Sequence, residues 1–190
     1  LYYSDMPKLT EMLYTSALLF GNEIPGKFTH FLFGIFSLFA IYFLSRKFLN
    51  KKLSILASLV FYSNLVVGWE SITAYVDLSR TFFEIMALWG FINFWEKGEK
   101  KWLIESAVML GLSISTKLLS ISSIFIFIPL IFYYHIYYKK NTKKLISNVI
   151  IFILIALIIP LPWFIFSFIH TGNPVYPFFT NTYPVGLNFN

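Results

Sequence analysis

Six long apolar stretches alternate with short polar links, and positive charge falls on every second link. Arg46, Lys47, Lys51 and Lys52 stand in one link, Lys97, Lys100 and Lys101 in the next, and Lys139, Lys140, Lys143 and Lys144 in a third. These account for eleven of the 15 basic residues. Apolar runs of this length are solvated best by lipid, and lysine-rich links stay on the cytoplasmic side, so the pattern places and orients the chain in a membrane. The opposite face then receives Asp5, Glu11, Glu23, Glu70, Asp77, His170 and a tail rich in Pro, Asn and Tyr. Any chemistry is expected there. The chain is 57% hydrophobic, above the ~45–50% usual for soluble domains.

The expected fold is an all-α membrane protein, a polytopic helical bundle of about six transmembrane helices plus an external amphipathic helix, in one transmembrane domain over residues 1–190. The spans fall at about 27–45, 53–69, 77–95, 102–116, 118–138 and 145–168, with an external loop over 170–190. Most reach the ~20 residues that cross the hydrocarbon at ~1.5 Å per residue. Read as one helix, 102–138 would be ~55 Å long and would hold Lys117 in mid-membrane, so a tight hairpin is expected at Ser115-Thr116-Lys117. Pro160 and Pro162 should kink the last span, since each removes a backbone donor.

Residues 7–21 form the external helix: Leu9, Met12, Leu13, Ala17 and Phe20 recur at helical spacing opposite Lys8, Thr10, Glu11 and Ser16. Asp5 is its expected N-cap, and Gly21 its end. The chain opens at Leu1 and stops in a Pro/Asn-rich segment, which reads as an excerpt of a longer membrane protein.

The formal charge of +6 is spread among links that meet anionic head groups, so no nucleic-acid partner is expected. Zero cysteines exclude disulfides and thiol catalysis. There is no Gly-rich phosphate loop and no pair of histidines at metal-binding spacing.

Asp77, Arg80 and Glu84 open the third span at i, i+3 and i+7, on one helix face with Arg80 in reach of both carboxylates. Ionisable groups in a span face protein or a wet cavity. The three are either a packing triad or the lining of a polar cavity. In the second reading Asp77 binds a sugar hydroxyl, the attacking nucleophile or a divalent cation, the one cofactor with a candidate ligand here, and Glu70 contributes from the same link. Lys117, beside Ser115, Thr116 and Ser120, either snorkels to the head groups or donates to a phosphate oxygen. His170, Asn173 and Tyr176 offer hydrogen-bonding groups in the irregular tail, and Arg80, Lys117 and His170 could converge on one anion. His30 and His135 read as structural.

Four segments occur in a telling order: Asp5-Met-Pro-Lys-Leu-Thr-Glu-Met-Leu-Tyr14, Ala74-Tyr-Val-Asp-Leu78, Gly111-Leu-Ser-Ile-Ser-Thr-Lys117 and Thr171-Gly-Asn-Pro-Val-Tyr-Pro-Phe178. Together they resemble the GT-C superfamily of integral-membrane glycosyltransferases, in its protein-mannosyltransferase and aminoarabinose-transferase-like branch. The resemblance implies transfer of a sugar from a polyprenyl- or dolichyl-phosphate carrier to a glycan, lipid or protein acceptor on the external face, in a prokaryotic cell membrane. It implies a principal catalytic acid in the first external loop, upstream of residue 1, with Asp77 as a second acid. It also implies that Lys117 and the Gly172–Phe178 loop line the lipid-phosphate cavity. A transporter segment would instead continue its polar residues down several helices, and a non-catalytic lipid-binding scaffold would lack the upstream acid.

Overall fold

The computed structural model describes residues 5–138 and 141–179, and among them all regular structure is helical. A short helix α1 (Leu9–Leu18) precedes a long α2 (Ile24–Ser45). Then come α3 (Lys51–Tyr62), α4 (Leu65–Ser71), α5 (Asp77–Lys97) and α6 (Lys100–Thr116). A 3₁₀ turn (Leu118–Ser123) leads into α7 (Ile124–Tyr137), followed by α8 (Thr142–Ile158) and α9 (Leu161–Thr171). Lys139, Lys140 and residues 180–190 of the expected external loop lie outside the described residues.

The bundle is inverted relative to a water-soluble protein. Large apolar side chains stand exposed, among them Phe36, Phe39, Phe43, Leu56, Val60, Phe125, Ile126 and Leu154. Ser37, Ser54, Ser79, Ser106, Ser113, Ser115 and Thr116 are buried. Small and hydroxylic residues let helix backbones approach in lipid, where apolar side chains gain nothing by hiding. Two helical segments, Ile24–Ser45 and Leu118–Tyr137, are long and apolar enough to cross a membrane, or up to four if each of two bent pairs is one span.

That number is below the expected six. The helix over the expected span 77–95 carries Asp77, Arg80, Glu84, Glu96 and Lys97, and α6 has only 17 residues. These two helices pack on each other, with Ala87, Phe91 and Phe94 of the first and Leu103, Ala107 and Leu110 of the second buried in one cluster. The expected continuous span 53–69 is also corrected: α3 and α4 meet at 69°, because the Asn64 side chain accepts from Val66 N–H and starts a new helix. The kink in the last span is present, with α8 and α9 meeting at 55° and Pro160 in the N-cap position of α9.

Gly98 turns α5 into α6, its left-handed φ of 68° ending the helix while its N–H bonds Phe94 O. α6 then runs back through the core with Leu103, Ala107, Leu110 and Ile114 fully buried. The chain reverses again at Lys117, as expected, and α7 returns beside α5, where the Tyr134 and Phe94 rings lie 4.5 Å apart. The lysine-rich links consequently gather at one end: Lys47 reaches Asn93 and Glu96, and Gly98 abuts Tyr134. Asp77 and Lys117 occupy the other end.

α6 and α8 cross closely at Gly111, where an added Cβ would lie 2.8 Å from Ile159 Cβ and 3.1 Å from the Ala156 carbonyl. Neither is the free end of a flexible side chain. Gly111→Ala should therefore lower stability by about 1–3 kcal/mol, read as a reduced thermal midpoint in detergent; an unchanged midpoint would mean that the crossing relaxes freely.

Candidate functional site

α1 is shorter than expected and begins at Leu9, with Lys8 rather than Asp5 in the N-cap position. Its apolar residues Met12, Leu13 and Leu18 are exposed, as an interfacial helix requires. Thr10, expected on the polar outer face, is instead fully buried. Its hydroxyl lies 2.7 Å from Ser79 Oγ on α5 and donates to Thr116 Oγ1 on α6 at 3.4 Å. Tyr14 donates to the Tyr75 carbonyl. Burial, with the nearby Glu11 and Asp77 carboxylates, pushes the Tyr14 hydroxyl well above its ordinary range, so it remains a donor. α1 is thereby clamped across the end of the bundle that holds Asp77.

The ion pairs at this end differ from those the sequence suggests. Arg80 does not bridge both carboxylates. Asp77 Oδ1 takes Lys117 Nζ at 2.6 Å, across the α5–α6 gap, while Arg80 bonds Glu84 Oε1 at 3.3 Å. The reason is reach. The first turn of α5 lies level with the reversal that ends α6, so the lysine meets the aspartate directly. Arg80, one turn deeper, meets Glu84 and donates its Nε–H to Ser120 Oγ at 2.8 Å.

Hydroxyls complete the network. Ser113 donates to Ser120 Oγ at 2.9 Å, and Ser123 donates to Glu84 Oε1 at 3.2 Å. The Asp77 and Lys117 side chains keep 28% and 41% of their surface, enough for a ligand to approach both. Glu70, from the last turn of α4, is half-buried and within electrostatic range of Asp77 and Lys117.

His30 organises the segment between these acids. It is fully buried on α2, and its Nδ1 lies 2.9 Å from Glu70 O and 2.8 Å from Thr73 O. Two carbonyl partners require Nδ1 to carry the proton, leaving Nε2 to accept from Leu78 N–H at 3.3 Å. One imidazole therefore ties the end of α4 to the start of α5. The structural reading of His30 understates it, because the positioning role appears only once residues 40 to 48 positions away are brought to its ring.

The tail residues do not join Arg80 and Lys117. His170 is exposed on α9, with Nδ1 against Phe166 O at 2.8 Å. Asn173 is fully buried; its Nδ2 donates to Phe178 O at 2.7 Å and its Oδ1 accepts from Val175 N–H at 3.0 Å. Both amide atoms bond within the loop, so Asn173 shapes it. Tyr176 is buried beside it. The loop instead contributes Val175, Phe178 and Phe179 to an apolar cavity of about 190 Å³, whose opposite wall is Leu118, Leu119 and Ile121, immediately after Lys117. Lys117, one half of the ion pair with Asp77, thus directly precedes one wall of an apolar slot.

Among the described residues no three His, Cys, Asp or Glu side chains come together as a metal-holding group. A family model described as dolichyl-phosphate-mannose-protein mannosyltransferase matches residues 12–166, most of the chain. No curated protein and no solved structure matches it.

Proposed function

Because the chain belongs to the dolichyl-phosphate-mannose-protein mannosyltransferase family, we propose that it transfers a sugar from a polyprenyl- or dolichyl-phosphate carrier to an acceptor hydroxyl at the Asp77 end of the bundle, on the external face of the membrane. The observation that carries this reading is the half-exposed Asp77–Lys117 pair at 2.6 Å beside the apolar cavity of Leu118, Val175 and Phe178. An ammonium has three donors, so Lys117 can hold Asp77 with one and a phosphate oxygen with another. The carrier's first apolar carbons would then enter the slot.

The acceptor oxygen attacks the anomeric carbon. The bond from that carbon to the phosphate oxygen breaks, its electron pair stays on the lipid phosphate, and the hydroxyl proton passes to a carboxylate. Lipid phosphate is already a good leaving group, so the protein's contribution is position and charge. Lys117 stabilises the departing phosphate, and Arg80 supports it through Ser120. Asp77, with Glu70 at its side, orients the acceptor hydroxyl as the second acid of the site. The acceptor is a glycan, a lipid or a protein side chain.

The test uses the purified protein in nanodiscs with a panel of labelled polyprenyl-phosphate sugars and a membrane extract, following release of free polyprenyl phosphate. Release by the native protein is expected. Lys117→Ala should weaken donor binding roughly ten- to a hundredfold, the cost of one charge-assisted hydrogen bond at ~1.5–3 kcal/mol. Release that is unaffected by this change would remove Lys117 from the donor site.

A further inference from the structure

The end of the bundle opposite Asp77 holds a second, differently built cavity. α6 and α8 both begin there, and α5 ends there at Gly98. The cavity measures about 320 Å³ and is lined by Lys100, Lys143, Lys144, His135, Ser147 and Asn148, among others. That volume is at the lower end of the ~300–1,000 Å³ typical of small-ligand sites. The 21 residues of α5 separate it from Asp77 by ~30 Å, so the phosphate at the Asp77 site cannot be the one it serves.

Its charge is uncompensated. Lys100 is the first residue of α6, and Lys143 and Lys144 lie in the first turn of α8; neither helix has an acidic residue in its first turn. The positive end of a helix dipole disfavours cations and attracts anions, and here two such ends carry lysines. The two carboxylates flanking the α5–α6 turn are already engaged, Glu99 by Lys101 and Glu96 by Lys47, each at 2.6 Å. Lys100, Lys143 and Lys144 have no ion pair among the described residues.

The inner wall is polar and buried. His135 and Asn148 are 4% and 6% exposed, with His135 Nε2 and Asn148 Nδ2 3.1 Å apart. The other amide atom of Asn148, Oδ1, is buried with no partner. Turned by 180°, the amide would accept from a protonated Nε2 of His135 and present its two N–H donors where Oδ1 now stands. A buried polar atom left unsatisfied costs ~1–3 kcal/mol, and an anion in the cavity would give the turned amide a partner. The rings of Trp95, Tyr133, Tyr134, Tyr137 and Tyr138 cluster at the same end, as amphipathic aromatics do at head-group depth.

We propose that this cavity is a phosphate-binding site, read by Lys100, Lys143, Lys144 and the Asn148 amide. An acidic phospholipid head group and a soluble phosphate share that chemistry. The test titrates the delipidated protein in detergent with short-chain phosphatidylglycerol, followed by native mass spectrometry, and separately with inorganic phosphate, followed by thermal unfolding.

Binding in the first arm assigns the lipid source, and a raised midpoint in the second assigns the soluble one. Lys143→Gln with Lys144→Gln should weaken binding in the responding arm roughly tenfold or more. Lys51→Gln with Lys52→Gln removes equal charge from the same end of the bundle, outside the cavity, and should change binding less than twofold. Equal losses in both double variants would mean diffuse surface attraction and overturn the site. So would no loss in the cavity variant, or no binding in either arm. Both pairs are exposed, so folding should survive; sugar transfer at the far end is a separate readout, and its failure leaves this result intact.

Discussion

Asp77→Asn is expected to lower sugar transfer by roughly 10²-fold, the cost of misplacing the acceptor hydroxyl, with little loss of stability. The two halves of this result are read together. Asp77 and Lys117 keep 28% and 41% of their side-chain surface. Breaking a pair so placed costs about 0–1 kcal/mol, because the freed ammonium hydrates. A pair whose only task is to lock α5 to the end of α6 would give the opposite pattern: a lower thermal midpoint, unchanged transfer per folded molecule, and recovery of stability when Lys117→Gln is added. Polyprenyl-phosphate release and thermal unfolding of the two single variants and the double separate these outcomes. A native protein that transfers, with an Asp77→Asn variant that transfers equally well, would remove Asp77 from the chemistry and leave its ion pair as packing.

His30→Ala should be the most damaging single change outside the ion pairs. It strips a partner from two carbonyls and one N–H, those of Glu70, Thr73 and Leu78. Unsatisfied buried groups cost ~1–3 kcal/mol each, so about 3 kcal/mol or more is expected. For a chain of this size that is a fall of roughly 6–12 °C in the thermal midpoint. The loss of transfer should exceed what the unfolded fraction explains, because Glu70 and Asp77 sit at the two ends of the segment His30 holds. Measuring transfer well below the variant's own midpoint isolates that effect. If transfer per folded molecule is then native, His30 supports the fold alone.

The helical class, the membrane setting and the rough position of each long apolar segment were legible in the chain, because lipid imposes a one-dimensional rule: ~20 apolar residues per crossing, with lysines on alternate links. The kink at Pro160 and the reversal at Lys117 were legible for the same reason, since a missing N–H and a charge in mid-membrane are both local facts. The break at Asn64 was not foreseen. The apolar run continues through it, and only the capping bond to Val66 N–H shows that a new helix begins.

The site divides along the same line. Intramembrane charge marked Asp77, Arg80, Glu84 and Lys117 as residues that need partners, because an isolated charge in a span is costly wherever it stands. Which partner each takes depends on the relative height of α5 and the α6 reversal, a tertiary quantity with no trace in spacing along one helix. The helix-face argument therefore gave Arg80 to both carboxylates, whereas packing gave Asp77 to Lys117. Asn173 and Thr10 show the same limit in reverse. Their side chains looked available in the sequence, and the fold consumes them, one within its own loop and the other between α5 and α6. The sequence by itself determined the solvent of this protein and the residues that would need partners there; the tertiary structure decided the partners, since hydrogen bonds and ion pairs act over ~3 Å between groups that the chain separates by tens of residues.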